Sequence, residues 1–228
     1  MSDPHTRTVR APDWRELSAR YDGMVPRILP AADLFFRCCS DCVPRGRVEV
    51  LELGSGTGYA TERLLRRNPR ARVTCLDRSA DMLAIAAAKP ALKRVELVQG
   101  DIRDGLPTRR FDVVFTTLCL HHLANRERQA AVGRVFRVLR RGSCFINGDV
   151  FRPGAAWEER LLRERWFRFM RAQGMAPSEA RAMLAKRRAN QSCLDTMRGW
   201  RGKLQRAGFA RIFNPLTIEF YAVFVAYK

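Results

Sequence analysis

Val50-Leu51-Glu52-Leu53-Gly54-Ser55-Gly56-Thr57-Gly58 decides how this chain is read. A β-type run stops at three glycines in alternate positions, and a helical pattern starts at Tyr59. Glycines placed there let the backbone turn sharply and let a ligand come close to the main chain. A dinucleotide fingerprint, G-x-G-x-x-G, would need glycine where Tyr59 stands. The spacing is G-x-G-x-G instead, with an acid, Glu52, two residues ahead.

Working outward, strand and helix alternate. Residues 72–77 read as a second strand, and 79–89 as a helix with Ser79 as its cap. Residues 95–98 and 111–116 make a third and fourth strand, 126–139 a helix and 143–150 a fifth strand. The strands are mostly apolar runs, as expected when helices cover both faces of a parallel sheet. After Pro153 the order breaks. Residues 154–190 read as helical with an interruption near Gly174 and Pro177, and 196–207 as a helix stopped by Gly208. Two closing strands, 210–213 and 218–226, flank an Asn214-Pro215 turn and suggest an antiparallel hairpin at the sheet edge. Ahead of the first strand, residues 12–43 read as helical through Leu17, Tyr21, Ile28, Leu34 and Phe35, with breaks at Pro26 and Pro30. The expected architecture is one α/β domain over 1–228, with a helical cap over 1–45 and a helical lid insert over 151–195.

The chain has 228 residues and is 46% hydrophobic, enough for a substantial core. No apolar run approaches the roughly 18–20 residues that span a bilayer, so no membrane partner is expected. The N-terminus lacks the apolar core of a secretory signal, which makes the cytoplasm the default compartment. Seven cysteines without an export signal point to reduced, mostly buried thiols. Cys39-Ser40-Asp41-Cys42 has metal-ligand spacing, but no second pair or nearby histidine completes a set, so no metal is expected. The net charge of +19 suits an anionic partner such as nucleic acid, or else reflects a bias toward arginine; both readings stay open, as does a homodimer.

Two acids join the glycine loop. Asp77 ends the second strand, where a carboxylate can accept hydrogen bonds from ribose hydroxyls. Asp101, in Gly100-Asp101-Ile102, follows the third strand and can meet an adenine amino group. With the segment 111–123, these stretches resemble the successive motifs of class I S-adenosylmethionine (SAM)-dependent methyltransferases, from about residue 46 to the end. The resemblance implies a Rossmann-like, seven-stranded, mostly parallel sheet with a final antiparallel strand and helices on both faces. It also implies SAM as cofactor. Glu52, Gly54, Ser55, Gly56 and Gly58 would form the loop along its methionine part. Asp77 would bind ribose, and Asp101 with Ile102 would hold adenine. Arg78 and Met82 would border the adenosine, and Tyr21 and Leu118 would complete the site.

Tyr21-Asp22, Ile28-Leu29-Pro30, Gly100-Asp101-Ile102-Arg103-Asp104 and Leu204-Gln205-Arg206-Ala207-Gly208-Phe209 also resemble a subgroup that includes carboxy-SAM synthase, whose product serves tRNA modification. That enzyme's cofactor-contacting tyrosine aligns with Ala32 here, and its carboxylate-binding arginine with Arg187 or Arg188. The absent tyrosine favours ordinary SAM chemistry.

Methyl transfer is an in-line displacement, so alignment, exclusion of water and removal of a proton are what the protein must supply. In this family the acceptor lies beyond strands four and five. His121 and His122 follow the fourth strand and Asp149 closes the fifth, which makes them the candidate base and its orienting partner. Cys119 as a pyrimidine nucleophile is disfavoured by its leucine neighbours and the lack of a preceding proline. The expected activity is methylation of an oxygen or nitrogen of a small molecule. A tRNA-linked enzyme, carboxy-SAM synthase-like or an RNA methyltransferase, is the alternative. Trp157, Leu161, Leu162, Trp166, Phe169 and Met170 in the insert should face core or pocket, and Arg160, Arg163, Arg168 and Arg171 solvent or an anionic acceptor.

Overall fold

The computed structural model describes residues 18–228, so Leu17 and the start of the expected cap lie outside the described residues. Two helices, α1 (Tyr21–Ile28) and α2 (Ala32–Asp41), come first. Then follow β1 (Glu49–Leu53), α3 (Tyr59–Arg67), β2 (Arg72–Asp77), α4 (Ala80–Ala88), β3 (Glu96–Gln99), β4 (Phe111–Thr117), α5 (Asn125–Val138) and β5 (Leu139–Val150). Three helices, α6 (Ala156–Ala172), α7 (Pro177–Asn190) and α8 (Met197–Arg206), lead to β6 (Arg211–Ile218) and β7 (Tyr221–Tyr227).

All seven strands form one sheet in the order β3-β2-β1-β4-β5-β7-β6. β1 to β5 run parallel, and β7 is antiparallel to both β5 and β6. The chain leaves β1 toward β2 and β3, then crosses back to β4 on the other side of β1. That reversal opens a crevice beyond the carboxyl ends of β1 and β4, where α/β sheets bind ligands. The glycine loop and the segment from Leu118 to Leu123 both start there.

Side chains alternate between two buried layers. Val50, Cys75, Phe115 and Ile146 pack with Leu64 of α3, Phe35 of α2 and Trp166 of α6. Leu51, Leu53, Val114 and Phe145 pack on the other face with Val132 of α5 and Trp200 and Leu204 of α8. Each such side chain contributes roughly 1.5–3 kcal/mol by leaving water.

Helix α1 is tied down over the crevice by four side chains. Trp166 Nε1 donates to the Ile28 carbonyl at 2.5 Å, and the Tyr221 hydroxyl donates to it at 3.4 Å. Asp22 receives Thr57 Oγ1 of the glycine loop and Lys89 Nζ, each at 2.5 Å.

Three local expectations are corrected. Pro26 does not break the first helix but lies in the second turn of α1, where it removes only the hydrogen bond its own N–H would have made; the break comes at Leu29, extended ahead of Pro30, and Ala31 at φ 53°. The closing turn is at Glu219 and Phe220, not at Asn214-Pro215. Asn214 and Pro215 form an irregularity within edge strand β6, where a residue lacking an N–H is tolerated, and Asn214 Nδ2 bridges it to the carbonyls of Leu216 and Val223. β7 is inserted between β5 and β6, so the hairpin's first strand forms the edge. In the insert, Trp157 and Leu161 turn to solvent at 60% and 46% exposure, while Trp166 and Met170 are buried.

Candidate active site

The glycine loop holds Gly54, Gly56 and Gly58 at φ of 64°, 55° and 73°, a backbone region that side chains rarely adopt. It is lashed to the end of β2: Gly54 N donates to the Leu76 carbonyl at 2.8 Å, and Gly56 N to Asp77 Oδ2 at 2.7 Å. Asp77 Oδ1 accepts from Ser79 N at 2.8 Å, and Ser79 caps α4 by accepting from Met82 N. A Cβ on Gly54 would fall 2.1 Å from Cys119 Sγ, so glycine is what lets the loops after β1 and β4 touch.

Over these strand ends lies a cavity. Of the residues expected to hold a cofactor, Tyr21, Gly54, Ser55, Gly56, Asp77 and Arg78 line it, as do Met82, Asp101, Ile102 and Leu118. Glu52 and Gly58 do not, and their expected role changes from contact to support. Glu52 is buried under α3, where Thr61 Oγ1 donates to its Oε2 at 2.6 Å, and burial pushes its carboxyl up to about 8. Gly58 makes the turn into α3, and a Cβ there would lie 2.2 Å from Leu92 Cδ1. Asp101 is already engaged: the Arg103 guanidinium pairs with it at 2.6 Å and holds its carboxyl below the usual range.

Phe36, Tyr59, Thr117 and Leu123 also line this cavity. Thr117 and Leu123 fall within the segment 111–123 that carries the resemblance, Tyr59 occupies the position that fails the dinucleotide spacing, and Phe36 had no sequence signal. Cys119 lines the cavity too, and burial drives its thiol far up, so the reactive thiolate is suppressed.

A second cavity meets the first at Tyr21, Leu118 and His122, which line both. Leu118 holds φ 50°, a strained conformation for a branched side chain, and its N–H is fixed by the Gly148 carbonyl at 2.8 Å. The Tyr21 hydroxyl is kept neutral because burial, then Cys119 and Asp22, raise its pKa. The walls of the second cavity are chiefly apolar, with Met24, Ile28 and Leu29 on one side and Trp166, Met183 and Phe220 on the other.

His121 and Asp149 come together here. His121 Nδ1 lies 2.6 Å from Asp149 Oδ1, and Asp149 Oδ2 accepts the His121 backbone N–H at 3.1 Å. Val150 N donates to Asp149 Oδ1 at 2.8 Å. Three donors converge on a carboxylate that is 3% exposed. A carboxylate there makes Nδ1 the protonated nitrogen and leaves Nε2 as acceptor. The His122 ring centroid lies 3.9 Å from that of His121, the two rings tilted by 41°, and burial, then His121 and Lys186, hold its pKa well down. Arg128, 2% exposed, braces the turn by donating to the carbonyls of His121 at 3.3 Å and Leu123 at 3.0 Å.

The first cavity fits the adenosyl cofactor. A Cβ on Gly56 would enter open space, its nearest neighbour Met82 Sδ at 3.9 Å, so the loop leaves a cradle for a ligand. Each Asp77 oxygen takes one backbone N–H and keeps a lone pair for ribose. The seven thiols are free, and no cluster of metal-ligating side chains occurs among the described residues. Arg187, one of two candidates for a carboxylate-binding arginine, lines the second cavity but is locked to Glu159 at 2.8 and 2.9 Å, whereas Arg188 is exposed and lines neither.

The family model described as "Methyltransferase domain" matches residues 50–142. A rice (Oryza sativa subsp. japonica) protein named 2-methyl-6-phytyl-1,4-hydroquinone methyltransferase 2, chloroplastic, is 29% identical over 172 residues, covering 74% of this chain and 44% of that one. Trans-aconitate 2-methyltransferase of Escherichia coli is 39% identical over 98 residues, 42% of this chain and 36% of its own. The chain thus spans less than half the length of these curated relatives. Among solved structures, the DhpI–SAH complex shares the fold with a TM-score of 0.66 at 23% identity, covering 93% of this chain and 92% of that one.

Proposed function

The chain belongs to the class I SAM-dependent methyltransferases, and on that premise we propose that it methylates an oxygen or nitrogen of a small molecule, with His121 as general base. The observation that carries this reading is the junction of two cavities at Tyr21, Leu118 and His122, with the His121–Asp149 pair on the second. SAM, when bound, would supply an electrophilic sulfonium methyl for the acceptor's lone pair, with sulfur keeping the electron pair of the C–S bond.

The chain does the rest. Asp77 would hold the ribose, Asp101 with Ile102 the adenine, and the loop from Gly54 to Gly56 the amino-acid end, leaving Leu118 between this cavity and the second one. Tyr21 and Leu118 form the narrow passage between the cavities and exclude water from it. His121 Nε2 takes the acceptor's proton, and Asp149 stabilises the imidazolium that forms. An acceptor that must lose a proton suits this pair best, which points to a hydroxyl. Helices α6 and α7 act as the lid, within residues 151–195, and α1 and α2 as the cap.

The apolar walls of the second cavity and the small molecules in the relatives' names support a small acceptor over a tRNA. The test is transfer of labelled methyl from SAM to a panel of phenols, hydroxy acids, carboxylic acids and amines. Transfer to one class, lost in His121→Ala with SAM affinity kept, supports the proposal. Transfer to none of them while SAM binds, or full activity in His121→Ala, contradicts it.

A further inference from the structure

The charges around the second cavity do not balance. No aspartate or glutamate lines it, while Lys186 and Arg187 of α7 both do. Arg187 is already neutralised: Nε and Nη2 grip the Glu159 carboxylate, Nη2 also donates to the Phe151 carbonyl at 3.2 Å, and the guanidinium lies 3.2 Å from the Phe220 ring centroid. Tyr221, also in the wall, spends its hydroxyl on the Ile28 carbonyl. His121 is committed to Asp149. Lys186 alone among the cavity's cations has no carboxylate paired with it among the described residues. It is exposed as a whole residue yet lines the cavity, as a side chain at the rim does. Partial burial lowers its pKa, so an anion brought beside it would restore what desolvation removes.

Resting on the proposed methyl transfer, we infer that the acceptor is an organic anion: an apolar, ring-sized body that presents a hydroxyl to His121 and a carboxylate to Lys186. The two ends of the cavity divide the work. His121 needs a neutral group carrying a removable proton, and a carboxylate carries none at neutral pH. The anion therefore belongs at the other polar point, the rim ammonium, with Met183, Trp166 and Phe220 against the body between them. Lys186 is then the residue that selects the substrate's charge. It acts on binding and leaves the reacting oxygen to His121.

The experiment uses three probes, 4-hydroxybenzoate, 4-hydroxyphenylacetate and 4-hydroxycinnamate, each paired with its primary amide. Binding is measured by calorimetry on the full chain saturated with S-adenosylhomocysteine, for wild type, Lys186→Met and Lys186→Arg. At least one acid should bind about tenfold or more tightly than its amide in wild type. Lys186→Met should erase that difference by weakening the acid alone, and Lys186→Arg should restore it. Equal binding of acids and amides, no binding of any acid, or discrimination that survives in Lys186→Met would each overturn the inference while leaving the cofactor site intact. Failure of S-adenosylhomocysteine itself to bind would overturn the functional reading, and this inference with it.

Discussion

Asp149→Asn removes one charge and changes almost no volume, yet the surroundings of this carboxylate leave the amide no good orientation. Oδ1 accepts from His121 Nδ1 at 2.6 Å and from Val150 N at 2.8 Å, and Oδ2 accepts from His121 N at 3.1 Å. With the amide oxygen in the Oδ1 place, the NH2 meets the His121 N–H donor to donor. Flipped, the NH2 faces Nδ1 and Val150 N, and the ring must move its proton to Nε2, the atom that should accept from the substrate. Either arrangement loses a buried hydrogen bond, costing about 1–3 kcal/mol of stability. The first keeps the proton on Nδ1 but takes away the charge that stabilises the imidazolium, and the second removes the general base outright; the base contributes about 10²–10⁴ in rate. Single-turnover methyl transfer, with an acceptor that the wild type methylates, should fall by that factor while calorimetry shows SAM affinity nearly unchanged. Turnover within twofold of wild type would refute the dyad, leaving Asp149 a backbone anchor.

The buried Glu52 favours its proton in the fold, its pKa rising from 4.5 to about 8, so the native chain holds an extra proton across that window. Stability should fall as pH rises through that window, by on the order of 4 kcal/mol in all, and urea titrations of Glu52→Gln from pH 5 to 8 should lack that slope. Arg128→Ala leaves Asp195, paired with Arg128 at 3.0 Å, to Lys203 alone and frees the His121 turn; urea unfolding should show a loss of about 3–5 kcal/mol. With a net charge of +19, binding to mixed tRNA should be measurable at low salt and vanish near physiological salt in filter-binding assays; specific, stoichiometric binding that survives would contradict a small-molecule enzyme.

The strands, the glycine loop and Asp77 were legible because each rests on local chemistry: apolar runs, positive φ, and a carboxylate at a strand end. Ser79 was legible as a cap for the same reason, and it does accept from Met82 N. His121 and Asp149 were legible only as neighbours of the right strand ends. Their 2.6 Å contact depends on the register of β4 against β5, set across the sheet and not along the chain. Glu52 carries the family's acid but faces α3, because β-strand alternation turns it away from the cavity. Trp157 and Leu161 share helical spacing with Trp166, yet α6 buries only one stripe, and spacing alone does not say which. Lys186 gave no signal at all, since one lysine in a basic helix gains meaning only from the cavity it borders and from the Glu159 that silences Arg187.

On the proposed function, SAM in the first cavity is held through Asp77. Calorimetry of SAM into the wild-type chain and into a folded Asp77→Ala variant tests it most directly. Asp77 would supply ribose hydrogen bonds worth roughly 1–3 kcal/mol, so the account predicts clear wild-type binding and an affinity about ten- to a hundredfold weaker in the variant. No binding to wild type, or equal affinity in the two proteins, would contradict it.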